Sequence, residues 1–404
     1  MKKRRDGAKG FFSCACLALG MLFFLVGATT PSYGEAPKEI LVGGTISETG
    51  PLSKIVGPFK KLALSWQGLI NEQGGIWVRD YKKRLPIRFI IYDDKSDQAT
   101  SLKYYERLVT VDKVNLLIGP FGSHNSFPAA TVAENHKIPM VMVCASDRKL
   151  FERDYKWSVS QLDAADLEHV GFIEMAAKSG KVKTIAMICE DKLHCTGSMN
   201  GAAKRAEELG LKIVMKEVIP GGTKDFTSVI IKIKGLNPDV VFVEAFPGFE
   251  IPFMKQAIEM GLRPKQFFNG HIVKPLVKVL GKYSENLCGS VYWAPGFQFT
   301  GQQDYAEILK RTGITWEAYQ ESSIRMQAYQ TIKEMIEVAG SLDRAKLNKA
   351  MHQMRYMTIS GPVEHMKGGM GSTLTFPMQI QKGRFVAVWP KDIATGKWIY
   401  PTKW

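Results

Sequence analysis

The chain has 404 residues, of which 45% are hydrophobic, and its formal net charge is +15. The chain is too long to form a single small hydrophobic core, because domains usually hold about 100–200 residues. We therefore expect two lobes. The positive charges are dispersed, and no aromatic platform or groove-reading motif accompanies the one dense run, Lys82–Arg84, which argues against a nucleic-acid partner.

The first 34 residues have the pattern of an export signal. A basic start at Lys2–Arg5 precedes an apolar stretch from Phe11 to Ala28, and small residues follow up to Gly34. We therefore predict a signal peptide at residues 1–34 that is cleaved on export to the periplasm. The alternative is a membrane anchor, because an apolar stretch of about 18 residues lies at the lower limit for spanning a bilayer.

A first series of strands and helices follows the predicted signal. Its predicted elements are the strand Ile40–Ser47, the helix Leu62–Asn71, the strand Ile87–Tyr92, the helix Thr100–Val111, the strand Val114–Ile118, the helix Ser126–Asn135 and the strand Ile138–Val143. Strands that are apolar on both faces and separated by helices indicate a parallel sheet covered on both sides.

A second series of similar size begins after Leu162. It contains the helices Ala164–Ser179, Ser198–Leu209, Phe226–Lys234 and Ile251–Met260, and the strands Thr184–Cys189, Lys212–Ile219, Val240–Val243 and Gln266–Phe268. Three further helices are predicted at Gln303–Arg311, Glu317–Ala339 and Leu342–Met354, before two short strands at Gln379–Gln381 and Phe385–Val388. If this helical block packs on the first lobe, the chain must cross between the two lobes several times. Several crossing segments form a hinge, and a hinge between two lobes leaves a cleft.

The loops after the strands are the candidate binding site, because ligands of such sheets bind beyond the carboxyl ends of the strands. The loop Gly119–Ser126 combines small residues with a helix start, where free N–H groups favour anions. A ligand carboxylate there would accept hydrogen bonds from Ser123 and from backbone groups around Ala145 and Ser146. The alternative is that Ser123 or Ser126 only caps the helix.

Four cysteines follow the predicted signal, too few for a disulfide scaffold. Cys189 and Cys195 are a disulfide candidate, and unpaired core thiols are the alternative. The chain contains no G-x-S-x-G, H-E-x-x-H, P-loop or G-x-G-x-x-G motif. We therefore expect a binding protein without cofactor or metal, and an extracellular hydrolase is the least favoured interpretation.

Several short segments keep a characteristic order and spacing: Ile46–Leu52, Ile70–Ile76, Tyr92–Asp97, Leu117–Pro120, Ile138–Pro139, Lys224–Phe226 and Asn237–Asp239. In these segments the chain resembles the leucine/isoleucine/valine-binding family of type I periplasmic binding proteins, the solute receptors of branched-chain amino acid ABC transporters. The resemblance covers nearly all of the chain after residue 34. It implies capture of a small ligand and delivery to a membrane ABC permease.

The resemblance also implies the fold. It is an α/β fold, type I periplasmic binding protein, with two Rossmann-like lobes whose parallel sheets are joined by a three-segment hinge. The implied first lobe is 35–160 with 294–361, and the second is 161–293 with 362–404. The implied crossovers lie near Ser158–Leu162, near Trp293–Pro295 and around Gly361.

The resemblance further implies residues that bind the ligand. In such proteins a serine in the Gly-Pro loop holds the ligand carboxylate, which assigns that role to Ser123 and favours it over helix capping. The implied neighbours are Cys144, Ala145 and Ser146 on the first lobe, and His194, Phe246, His271 and a position near Ile55 elsewhere in the cleft. The family often carries a disulfide between the loops around Ser96 and Gly122, and this chain lacks both cysteines.

The second lobe departs from the amino-acid pattern of that family. The position near His271 would be a Glu that pairs with the ligand ammonium, and a buried ammonium needs a partner. Either Glu190 or Glu244 replaces it, or the ligand is an aromatic or aliphatic carboxylic acid without an ammonium group, which suits His271 and Phe246. A sensory receptor module of the same fold is a further alternative. For Ser123→Ala we expect weaker ligand binding with little change in thermal stability.

Overall fold

The computed structural model describes residues 35–373 and 375–404 of the chain. The predicted signal peptide at 1–34 lies outside the described residues, so its prediction is not tested. Contacts group Pro37–Trp404 into one unit, and this unit contains two main β-sheets. Within the described ranges, no helix is long and apolar enough to cross a membrane.

The first half of the chain builds a five-stranded sheet. Its elements are β1 (Ile40–Ile46), α1 (Ser53–Val56), α2 (Phe59–Glu72), β2 (Ile76–Val78), β3 (Lys83–Leu85), β4 (Ile87–Asp93), α3 (Gln98–Thr110), β5 (Leu116–Ile118), α4 (Ser123–Asn135), β6 (Met140–Met142), α5 (Arg148–Glu152) and β7 (Ser158–Ser160). The strands stand in the order β4-β1-β5-β6-β7, and all neighbours are parallel. Every residue of β5 and β6 is buried, as expected for a sheet covered on both faces.

The rest of the chain builds a seven-stranded sheet and a block of helices. Its elements are α6 (Val170–Lys178), β8 (Thr184–Glu190), α7 (Leu193–Glu208), β9 (Lys212–Ile219), α8 (Thr227–Leu236), β10 (Val240–Glu244), α9 (Pro247–Glu259), β11 (Gln266–Asn269), α10 (Lys274–Leu280), β12 (Cys288–Val291), α11 (Gln302–Thr312), α12 (Ser322–Ala339), α13 (Arg344–Gln353), β13 (Tyr356–Thr358), β14 (Gly361–Val363), β15 (Phe376–Gln381) and β16 (Arg384–Ala387). The strand order is β16-β15-β12-β11-β10-β8-β9. Strands β8 to β12 are parallel, while β15 and β16 add antiparallel edges.

Both sheets repeat one topology. The parallel strands of each series, numbered by their own order, stand in the arrangement 2-1-3-4-5. In this arrangement the strand order reverses next to the first strand of the series, and the crevice at that point receives ligands. The loops after β5 and β10 therefore border the two crevices.

Each sheet is covered by helices on both faces. On the first sheet, one apolar cluster includes α2 with the block α11–α13, and another includes α3 and α4. Trp66 of α2 stacks on Tyr329 of α12 with ring centroids 5.3 Å apart. On the second sheet, α8, α9 and α10 pack on one face, and α6 and α7 pack on the other.

The helical block explains how the chain connects the two cores. Helices α11–α13 follow β12 of the second sheet, yet they contribute to the core of the first sheet, and the chain then returns to form β15. The chain thus passes between the cores three times, after β7, after β12 and after β14. The lobe boundaries given above stay a prediction.

Several elements differ from the sequence-based expectation. The hairpin β2–β3 was not predicted, and it carries the basic run Lys82–Arg84 on exposed positions. Helix α4 begins at Ser123 rather than Ser126, and α12 begins at Ser322 rather than Glu317. These shifts matter, because they place Ser123 at a helix start and Glu321 just outside a helix.

Candidate functional site

The carboxyl ends of strands from both sheets meet at a small cavity. Its volume is about 30 Å³. It is lined by Phe121, Gly122, Ser123, Cys144, Ser146, Leu162, His194, Phe246, His271, Tyr292 and Glu321. These residues follow strands β5, β6 and β7 of the first sheet and β8, β10, β11 and β12 of the second, except Glu321, which precedes α12.

Six of the eight predicted ligand-binding residues line this cavity: Ser123, Cys144, Ser146, His194, Phe246 and His271. The structure places the other two elsewhere. Ala145 is fully buried behind the lining, where its carbonyl oxygen accepts a hydrogen bond from Ser160 Oγ at 2.6 Å. Ile55 packs against the core of the first sheet. The binding role of the six residues stays a prediction.

Ser123 holds the loop after β6 in place. Its Oγ accepts hydrogen bonds from the backbone N–H groups of Ser146 at 3.1 Å and Asp147 at 3.0 Å. It does not cap its helix, because the N-cap residue of α4 is Gly122 and no side chain caps it. Ser126 Oγ is buried without a partner, so it does not cap the helix either. The capping alternative is therefore wrong.

This geometry leaves the hydroxyl hydrogen of Ser123 available as a hydrogen-bond donor. Both bonds use the oxygen as an acceptor, so the hydroxyl hydrogen is committed to neither of them. Because Ser123 lines the cavity, this hydrogen can be donated to a ligand oxygen. Because two buried amides depend on this oxygen, we now expect Ser123→Ala to lower stability, whereas the sequence alone predicted little change.

A hydrogen-bonded network connects the two sides of the cavity. His194 Nδ1 lies 3.0 Å from Ser146 Oγ, and His194 Nε2 lies 3.2 Å from Glu168 Oε2. Tyr292 donates its phenolic hydrogen to Glu168 Oε1 at 2.5 Å. Burial alone would raise the pKa of Glu168, but His194, His169 and the Tyr292 hydrogen bond together lower that pKa to about 2. Glu168 is therefore ionised at neutral pH.

A second carboxylate lies behind the histidines. Glu244 Oε2 lies 2.6 Å from His169 Nε2, and His169 Nδ1 lies 3.1 Å from Ser290 Oγ. Burial would lower the pKa of His169, but Glu244 outweighs it and raises that pKa. Glu190 accepts a hydrogen bond from the Phe246 backbone N–H at 3.2 Å. Neither Glu190 nor Glu244 lines the cavity, but Glu244 Oε1 lies 4.0 Å from His271 Nδ1 and 3.6 Å from His194 Nε2. That Glu244 replaces the missing acid near His271 stays a prediction.

Glu321 is the acidic residue that the sequence-based reasoning missed. Glu321 lines the cavity although it is only 7% exposed. Burial raises the pKa of its carboxyl group, and the nearby His271 opposes this shift. The spacing of apolar residues in the sequence gave no sign of this position, because it predicted that Glu321 lies inside the helix Glu317–Ala339.

Aromatic rings form much of the apolar wall of the cavity. The centroid of Phe246 lies 5.2 Å from that of His271, 6.1 Å from that of His194 and 6.2 Å from that of Phe121. His271 Nδ1 lies 3.0 Å from the carbonyl oxygen of Ala245, which accepts only, so this nitrogen carries the hydrogen. The wall therefore combines flat apolar surface with imidazole edges.

The four described cysteines are free thiols. Cys189 and Cys195, the disulfide candidate, are fully buried in one apolar cluster of the second sheet. Burial raises the pKa of Cys189 to about 12 and that of Cys195 well above its ordinary value. The alternative of unpaired core thiols describes both residues, and the predicted disulfide is not present.

A wider surface groove of about 840 Å³ lies near the C-terminus, lined in part by Trp389, Trp398 and Lys178. It shares no residue with the cavity between the sheets. The carboxyl ends of the parallel strands do not open into it, so the cavity, and not this groove, has the position expected of a binding site.

Residues 39–384 match the family described as periplasmic binding protein. The chain belongs to this family. Its fold is the type I periplasmic binding protein fold, which confirms the predicted fold class and the resemblance. The members are solute-binding proteins, so this periplasmic binding protein is not an enzyme, as the missing catalytic motifs indicated.

Relatives and solved structures extend over most of the chain. A Leu/Ile/Val-binding protein homolog from Brucella suis is 23% identical over 94% of this chain and 97% of its own length. The leucine-binding protein LivK from Thermotoga maritima superposes with a TM-score of 0.75 at 18% identity, covering 87% of this chain and 99% of its own. A solute-binding protein of an ABC transporter from R. palustris, in complex with 4-hydroxybenzoate, gives a TM-score of 0.75 at 19% identity, covering 89% and 98%.

Proposed function

We propose that this periplasmic binding protein captures one small carboxylate-bearing ligand between two lobes and delivers it to a membrane ABC permease. The ligand is a hydrophobic, branched-chain amino acid-like molecule. The two lobes are residues 35–160 with 294–361 and residues 161–293 with 362–404. The protein acts in the periplasm, after cleavage of the signal peptide at 1–34.

The observation that carries this proposal is the bonding of Ser123. Two buried backbone amides fix its oxygen, so its free hydroxyl hydrogen has a defined position at the cavity. A donor that is fixed before the ligand arrives loses little entropy on binding, which suits recognition of a carboxylate. The start of helix α4 at the same residue adds a positive dipole end.

The size of the cavity supports closure around the ligand. About 30 Å³ is the space of roughly one water molecule, whereas sites for small organic ligands hold about 300–1,000 Å³. The Ser146–His194 contact of 3.0 Å joins the proposed first lobe to the second. Ligand entry therefore requires this contact to break and the lobes to separate, as in hinge closure.

A second candidate ligand is an aromatic or aliphatic carboxylic acid that lacks an ammonium group. The observation in its favour is the wall formed by Phe121, Phe246, His194 and His271, with centroids 5.2–6.2 Å apart. A flat ring packs well against such a wall. The solved relative in complex with 4-hydroxybenzoate has the same fold.

Calorimetric titration of the exported protein with L-leucine, L-isoleucine, benzoate and 4-hydroxybenzoate tests this proposal. We expect one of these classes to bind at one site per chain. Small-angle scattering of the same samples should show a smaller radius of gyration with ligand than without it. If no carboxylate binds, or if binding leaves the radius unchanged, the proposal of capture by closure is wrong.

A further inference from the structure

The amino ends of the first sheet's strands form a surface that the proposed function does not use. Because neighbouring strands of this sheet are parallel, these ends lie at the edge opposite the cavity. Three segments precede strands at this edge: the hairpin β2–β3 before β4, a turn before β5 and a turn before β6. We call the following exposed residues of these segments the basic pole: Trp77, Lys82, Lys83, Arg84, Lys113 and Lys137.

One helix holds these segments on a common side of the molecule. Arg344 of α13 donates hydrogen bonds to the carbonyl oxygens of His136 at 3.3 Å and Val114 at 3.4 Å, in the two turns. Lys346 Nζ, from the same turn of α13, lies 2.9 Å from Asp80 Oδ2 in the hairpin. The first turn of α13 therefore contacts all three segments, so the basic pole is one surface.

The positive charges of the basic pole are not neutralised by neighbouring acids. In the parts of the chain that the structure describes, no salt bridge joins its lysines or Arg84 to a carboxylate, and Arg84 donates to the carbonyl oxygen of Gly75 at 2.8 Å. The acids at this edge have other cationic partners: Glu39 lies 2.8 Å from Arg88, and Asp80 pairs with Lys346. The basic pole therefore presents an uncompensated positive field to a partner outside the molecule.

Apolar side chains are exposed beside these charges. Trp77 is 41% exposed and stands opposite Arg84 in the hairpin register. Its two neighbours in β2 are buried, as alternation along a strand requires. Val111, just before Lys113, is 61% exposed. Trp, Lys and Arg side chains have an apolar body and a polar tip, and this combination suits the boundary between water and lipid headgroups.

The path of the chain favours a lipid surface as the partner of this pole. The backbone N–H of Ile40, at the start of β1, donates to the carbonyl oxygen of Pro86, between the hairpin and β4, at 2.8 Å. The chain therefore enters the domain at the amino edge of the sheet. The apolar stretch Phe11–Ala28 comes before this point in the sequence. An exported precursor that still holds this stretch in a bilayer is tethered there, which favours lipid over an acidic protein.

We propose that the basic pole docks on the anionic phospholipid headgroups of a bilayer, with its lysines and Arg84 facing phosphates and Trp77 entering the interface. Each basic residue near an anionic surface strengthens binding by about fivefold, and salt weakens this attraction. The net charge of +15 adds to it. The cavity lies at the other ends of the strands, so docking is independent of the proposed ligand capture.

Vesicle sedimentation of the exported protein tests this proposal with two kinds of vesicle: phosphatidylcholine alone, and phosphatidylcholine mixed with phosphatidylglycerol. The test variant combines Lys82→Gln, Lys83→Gln and Lys113→Gln. The control variant, around the second sheet, combines Lys204→Gln, Lys224→Gln and Lys278→Gln. All these lysines are exposed, and none of them forms a salt bridge within the described ranges. Both variants therefore lose the same charge, and only its position differs.

We expect wild type to sediment with the vesicles that contain phosphatidylglycerol but not with phosphatidylcholine alone, and to be released by high salt. The test variant should bind about tenfold to 100-fold more weakly, while the control stays within about threefold of wild type. Circular dichroism should show the same fold for all three proteins. Equal weakening in both variants, or no binding by wild type, would overturn the proposal. Binding of wild type to poly-L-glutamate but not to the vesicles would also overturn it, and would identify an acidic protein as the partner.

Discussion

Replacing Ser123 by alanine is the most informative single change, because one oxygen atom serves both the fold and the proposed site. Its Oγ accepts from the backbone amides of Ser146 and Asp147. These two residues are only 2% and 6% exposed, so solvent does not replace the lost acceptor freely. The variant therefore leaves two buried N–H groups without a partner.

Each unsatisfied amide costs about 1–3 kcal/mol, and water that enters the vacated space recovers part of this cost. We expect the free energy of unfolding of Ser123→Ala to fall by about 2–4 kcal/mol. With an m-value of about 3 kcal/mol per molar urea, the midpoint should fall by about 1 M. Loss of a hydrogen bond to a charged ligand group should weaken affinity by about tenfold to 100-fold.

Urea unfolding followed by circular dichroism measures the first effect, and calorimetry with the ligand that binds wild type measures the second. Ser126→Ala is the matched control, because this neighbouring hydroxyl is buried without a hydrogen-bond partner and its removal should cost little. An unchanged urea midpoint for Ser123→Ala would refute the structural role of its oxygen. An unchanged affinity would refute its role in binding.

Three further predictions concern stability. Glu168 has a pKa of about 2 in the folded protein against 4.5 for the free side chain, so its contribution of about 3 kcal/mol is present above pH 4.5 and is lost as the pH falls to about 2. In an acid titration by circular dichroism, His194→Ala should shift this loss to higher pH, and an unchanged profile would contradict it. A Cβ at Gly201 would lie 1.9 Å from the carbonyl oxygen of Asp166, so Gly201→Ala should lower the free energy of unfolding by about 1–3 kcal/mol. Gly235→Ala, in a helix with open space around it, should raise the free energy of unfolding by about 0.5–1 kcal/mol. Urea unfolding followed by circular dichroism measures both glycine variants, and equal midpoints for the two would contradict this pair of predictions.

The strands and the loops that follow them could be predicted, because a strand that is buried on both faces of a sheet appears in the sequence as a short run of apolar residues. Strands β1 and β4 agree with prediction to within a residue or two, and the loops after β5 and β6 bring Ser123 and Ser146 to the cavity. Ala145, although adjacent to Ser146, points away from the lining because successive residues of an extended segment face opposite sides. A loop can thus be predicted more easily than the side of it that faces the cavity.

The position of Glu321 could not be predicted, because it depends on contacts between distant parts of the chain. Local pattern placed it inside a helix that begins at Glu317, whereas the structure begins α12 at Ser322. Its approach to the cavity requires the helical block to return to the first core, where Tyr329 stacks on Trp66. Tyr292 was missed for a related reason, since its partner Glu168 lies 124 residues earlier in the chain.

The charges around the cavity bear on the choice between the two candidate ligand classes. Glu168 is ionised at neutral pH, and Glu321 lines the cavity. An acid without an ammonium group would bring a further negative charge close to Glu168, and like charges repel. A zwitterion adds no net charge to this space. The aromatic wall around Phe246 is compatible with either class, so calorimetry with L-leucine and with benzoate separates the two candidate classes.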